Sequence, residues 1–111
     1  MTTNEGNLLI ERFMTTEPDV LERDLLKAGT VESMHYHDDW LWLMPVLDKI
    51  ELLGFNTIVV CRARVGYHIC HIHNYSDLSD AISFKSDNKL TTVYNCILKF
   101  ITWYNARDNQ S

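Results

Sequence analysis

Glycine, proline and cysteine are all scarce in this chain, at four, two and three of 111 residues. So few glycines leave no glycine-rich phosphate loop, and neither G-x-S-x-G nor H-E-x-x-H occurs, which excludes the common nucleotide-cradle and hydrolase templates. The three cysteines, Cys61, Cys70 and Cys96, are an odd number, and the opening MTTNEGNLL has no basic segment leading into a long apolar one. Neither a disulfide framework nor a secretory leader is therefore expected, and a reducing cytoplasm is the expected location. The longest apolar run, WLWLMPVL, is eight residues. A membrane-spanning helix needs ~20, so no membrane association is expected.

Positive charge is short as well, with ten Lys and Arg against fifteen Asp and Glu. The imbalance sits at one end: residues 1 to 39 hold nine acids and three bases, residues 40 to 111 six acids and seven bases. Polyanion binding draws on clustered Lys and Arg that displace counterions, and no such cluster exists here, so nucleic acid is a disfavoured partner. What is present is apolar material, 46% of the chain with three Trp, five Tyr and four Phe. That is enough for one core, and 111 residues is a length for one domain, with an ordered core expected over about 7 to 105.

Leu8, Leu9, Ile10, Phe13 and Met14 share one helical face and predict a helix over 7 to 14, capped by Asn4 or Asn7. Pro18, the acids behind it, Leu21, Leu25, Leu26 and the stop at Gly29 predict another over 18 to 28. HDDWLWLMPVLDKIELLGFN predicts a helix capped by Asp38 or Asp39 and closed by Gly54, with Pro45 imposing a kink or a lead-in turn before the main helix. Trp42, Val46 and Leu53 make a second apolar stripe, so this helix is expected to face both the sheet and another surface.

The period then changes. NTIVVCRARVGYHICHIHNY is β-branched and divided by Gly66, predicting an antiparallel hairpin that turns at Val65-Gly66 and sets Cys61 opposite Cys70. Ser76 and Asp80 predict a turn or two of helix in SDLSDAISF. Leu90, Val93, Tyr94, Ile97, Leu98, Ile101 and Tyr104 predict a long C-terminal helix. The expected fold is thus α+β, an antiparallel hairpin or sheet packed with helices.

With those elements placed, NLLIERFM, YHDDWLWLMPVLDKIELLGF and YNCILKFITWYN resemble the small phage-encoded proteins of the phage ABA sandwich type. Trp40, Trp42, Leu43, Met44 and Pro45, with the LDKIELLG continuation, carry most of the likeness, which spans residues 7 to 105. The resemblance implies helices packed around a small antiparallel sheet and an origin in a phage or prophage. It implies no catalytic role.

Three sets of residues can carry function. His71 and His73 alternate on a strand, and His35 and His37 repeat the spacing beside Asp38 and Asp39; together they offer ligands for a tetrahedral zinc, or three and an open position. Arg62 and Arg64 near Tyr67, with Trp42 as a stacking surface, suit a phosphate-bearing, nucleotide-like ligand. Cys61, Cys70 and His68 form a lesser set, better read as packing, as is Cys96. The expected function is a non-enzymatic phage accessory protein, homo-oligomeric, that binds a host protein or a small ligand. A small metal-dependent hydrolase or nuclease using the histidines, and a virion structural component, are the alternatives.

Overall fold

Helix boundaries in this chain follow from side chains that take up orphan backbone groups. The computed structural model describes residues 2–14, 34–62, 64, 66–74 and 77–109. Helix α1 (Thr3–Met14) starts four residues before the expected position, because the Thr2 hydroxyl accepts the amide of Glu5 at 3.1 Å and so caps the helix ahead of either asparagine. The helix expected over 18 to 28 lies outside the described residues.

In α2 (Trp40–Leu52), Asp39 is extended and its carboxylate accepts the Leu41 amide at 2.9 Å. Gly54, at φ +100°, closes the helix in the left-handed conformation that costs other residues most. The helix runs through Pro45 rather than starting there. Proline lacks the N–H that would bond the Leu41 carbonyl, but both residues are exposed, so water is at hand to satisfy that group.

Strands β1 (Phe55–Arg62), β2 (Tyr67–Asn74) and β3 (Asp77–Ser86) form an antiparallel sheet in chain order. The third strand replaces the helical turn expected from Ser76 and Asp80. Ile82, Phe84 and Ser86 alternate with Ser83 and Lys85, and pairing to β2 outweighs a local cap. In the hairpin, Cys61 faces His68 and Cys70 faces Val59, not Cys61. Four residues separate the strands, and Gly66 takes the positive φ of +78°. The slip from the expected register is two residues, an even number, so each side chain keeps its predicted face.

One face of the sheet is covered. Helix α3 (Lys89–Asn109) lies over β2 and β3, α2 packs beside β1, and α1 packs on α3. Cys70 and Ile72 from β2 enter a single core with Ile10, Leu43, Ile50, Ile97 and Phe100, all essentially without solvent contact. Cys96 also lies there, its thiol donating to the Cys70 carbonyl at 3.3 Å. The other sheet face carries Ile58, Val60, Tyr67, Ile69 and Lys85, none of which belongs to the core.

The α1–α3 contact is close because Gly6 has no side chain. A Cβ there would collide with the Tyr94 hydroxyl and crowd Leu98. In an open helix Gly→Ala stabilises by roughly 0.5–1 kcal/mol. Here Gly6→Ala is expected to destabilise by about 1–3 kcal/mol, the usual overpacking penalty. Adding Tyr94→Phe removes the colliding oxygen, so chemical denaturation of the double variant should show most of that loss recovered. A Gly6→Ala variant more stable than the wild type would contradict the packing described.

Candidate functional site

Residues 34 to 39 form a turn that leads into α2, with the Asp38 and Asp39 amides both donating to the His35 carbonyl. That turn stacks the imidazoles of His35 and His37 with centroids 6.3 Å apart. Asp38 lies between them, 3.0 Å from His35 Nδ1 and 3.5 Å from His37 Nε2. The buried Asn7 amide of α1 donates to the Met34 carbonyl at 3.2 Å and meets His37 Nδ1 at 3.0 Å. An amide N–H only donates, so Nδ1 of His37 is the acceptor in that bond.

His71 and His73 sit on β2, away from this turn. His71 pairs with Ile58 and Ser83, whereas His73 is nearly buried beside a register shift between Ile72 and Asn74, with Nδ1 3.2 Å from the Asn74 carbonyl. Among the described residues no group of three or more His, Cys, Asp or Glu side chains is placed to hold a metal ion. The zinc set of His35, His37, His71 and His73 is not assembled, because a two-residue alternation within each pair says nothing about where the pairs meet. Of the cysteine set, the Cys61 side chain lies outside those described, and Cys70 turns into the core against α3. Its hydrogen bond to Cys96, together with burial, pushes the Cys96 thiol far above the usual cysteine range, opposite to what a nucleophile requires.

The ligand set fares differently. Arg62 and Tyr67 are register partners at the hairpin end of the open sheet face, and Lys85 of β3 places Nζ 4.1 Å from the Tyr67 ring centroid. Arg64 is exposed between the two strands. Trp42 does not join them: it packs against the core on the helix-covered side, edge-on to Tyr36 at 5.1 Å and His35 at 5.9 Å. The structure thus supplies Lys85 in place of Trp42, a residue that only the strand alternation of β3 reveals.

Two concavities adjoin α3. A polar cleft of about 290 Å³ lies between the start of α1 and α3, lined by Thr2, Thr3, His37, Thr91, Tyr94 and Asn95. Tyr94 donates to the Thr3 carbonyl at 3.3 Å, and burial pushes its hydroxyl up to about 12, so it stays a neutral donor at ordinary pH. A shallow apolar groove of about 450 Å³ runs between Phe84, Leu98, Trp103 and Ala106, with Lys99 at its rim.

The most solvent-exposed large apolar groups lie elsewhere. Among the described residues the exposed large hydrophobic side chains are Leu41, Met44, Leu52, Leu53 and Ile58, all within α2, the turn after it and β1. Leu41 and Leu52 are 84% and 87% exposed, nearly as open as in an unfolded chain. Leu41, Met44, Pro45 and Leu52 make one stripe of α2, interrupted only by Asp48. Of the second apolar stripe expected on Trp42, Val46 and Leu53, only Leu53 is exposed: Val46 is buried, and Trp42 is half-buried. The spacing 41, 44, 45, 48, 52 was the signal that would have found the exposed stripe.

The chain matches no known family model, no curated protein and no solved structure. Among the described residues no helix is long and apolar enough to cross a membrane.

Proposed function

We propose that this chain is a non-enzymatic binding protein that engages a protein partner through the flank built by α2 and β1. The observation that carries this reading is the confinement of every exposed large hydrophobic side chain, among the described residues, to positions 41 to 58. Scattered apolar side chains need no explanation, but a segregated set of this kind marks an interaction surface. Among the described residues Cys96 is held as a buried thiol, and His37 Nδ1 is taken by the Asn7 amide. In keeping with the Trp-x-Trp-Leu-Met-Pro resemblance, the proposed setting is the cytoplasm of a host cell carrying a phage or prophage, with a host protein as the partner.

A photo-crosslinking residue at position 52 tests the reading directly, with position 83 on β3 as the control. Adducts from position 52 and none from position 83 are expected in infected cells. The mass of the adduct separates a second copy of this chain from a host protein. Silence at position 52 and at position 41 overturns the proposal.

A second reading rests on Tyr67, flanked by Lys85 and by its strand partner Arg62. A cation over an aromatic ring, with Arg62 its cross-strand partner and Arg64 nearby in sequence, suits a small nucleotide-like anion. A nucleoside triphosphate should raise the melting temperature of the wild type and not of Arg62→Ala, Arg64→Ala. Equal shifts in both would remove this reading.

A further inference from the structure

The two edges of the sheet differ. The inner strand β2 is paired on both sides, so β1 and β3 each present one unpaired edge among the described strands. β3 carries Asp77, Asp80 and Lys85 and meets β2 through a register shift, devices that discourage further pairing. β1 has a regular register and one charge, Arg62, at its hairpin end. From Phe55 to Cys61 it reads FNTIVVC, without a charge or a proline, and its register with β2 is unbroken from Phe55 to Arg62. A regular, uncharged, β-branched edge is a template for another strand.

We propose that β1 pairs antiparallel with β1 of a second copy across a two-fold axis, joining two three-stranded sheets into one of six strands. This goes beyond the proposed function by adding a second copy of this chain as an occupant of the same flank, and it rests on the reading of that flank as a protein-binding surface. A second copy fits for three reasons. An antiparallel pair of identical strands is self-complementary, so a single surface supplies both halves of the contact. The flank has little net charge, with Asp48 and Glu51 against Lys49, and the Glu51 carboxylate is already bound by the Thr57 hydroxyl at 2.6 Å. Finally, α2 packs beside β1, so strand pairing brings α2 of each copy near the axis and offers the Leu41, Met44 and Leu52 stripe an apolar neighbour.

Sedimentation velocity of the full chain over a concentration series tests the pairing. The wild type is expected to dimerise reversibly. Ile58→Lys puts a charge on the exposed β1 position without touching the core, and Leu41→Glu, Leu52→Glu does so on α2; each should weaken the dimer at least about tenfold with an unchanged circular dichroism spectrum. Ser83→Lys on the opposite edge should have no effect. A wild type that stays monomeric overturns the self-pairing, whereas the host-partner reading is decided separately by the crosslinks from position 52. A dimer indifferent to Ile58→Lys, or one weakened by Ser83→Lys, overturns it equally.

Discussion

Phe100→Ala is expected to cost about 3–5 kcal/mol, the range for deleting a fully buried aromatic ring. The Phe100 side chain has no solvent contact and its ring meets four others: Phe55 at 4.9 Å, Tyr104 at 5.7 Å, Trp103 at 5.9 Å and Phe13 at 6.2 Å. These rings come from α1, β1 and α3, so the cavity would open where three elements join, and backbone relaxation in one cannot fill it without disturbing another. Edge-on pairs add about 0.5–1.5 kcal/mol each beyond area burial, which places the expected loss at the upper end of the range. Domains of this size are stable by about 5–15 kcal/mol, so the variant should be partly unfolded near 37 °C if the wild type lies at the lower end. Leu52→Ala, on an 87% exposed side chain, is the contrast and should stay within about 0.5 kcal/mol in urea denaturation. Equal losses for the two would contradict the assigned core.

Alkaline pH should destabilise the fold through two buried tyrosines. Burial pushes Tyr94 up to about 12 from an ordinary 10.0, and burial together with the hydrogen bond to Glu11 pushes Tyr36 up further. A raised folded-state value means that the native chain keeps protons which the unfolded chain releases. Stability is therefore full below about pH 10 and falls as pH rises toward the folded values. For Tyr94 alone the shift corresponds to roughly 2–3 kcal/mol, at 1.36 kcal/mol per pH unit. Lys49, lowered by burial where its ammonium reaches the Phe13 carbonyl, acts in the opposite direction and offsets part of the loss. Urea midpoints measured from pH 8 to 11 should fall steeply above pH 10. Tyr36→Phe should flatten that slope; a slope unchanged by the substitution would contradict the assignment.

The elements that were legible in the sequence are those fixed by local signals. Asp39 and Gly54 bound α2, the apolar stripe from Leu90 to Tyr104 defines α3, and Gly66 divides the hairpin. Even with the register misread by two residues, Cys70 and Ile72 were rightly assigned to one face, because face depends only on parity. β3 was not legible, since Ser76 and Asp80 mimic a helix start and the strand exists only because β2 offers it an edge. The same limit governs the site. His35 and His37 were recognisable as a pair, but their partners, Asn7 and Tyr94, come from 30 or more positions away. Arg62 and Tyr67 are close along the chain and do meet, whereas Lys85 arrives through β3 and Trp42 turns inward to Tyr36.

We propose that this protein works through the α2–β1 flank. Hydrogen–deuterium exchange of the full chain, comparing dilute with concentrated protein, tests it most directly. Added protection is expected, confined to the amides of β1 and the exposed turns of α2, with β3 unchanged. Protection that instead gathers on β3 and the Phe84–Trp103 groove, with none on β1, would contradict it.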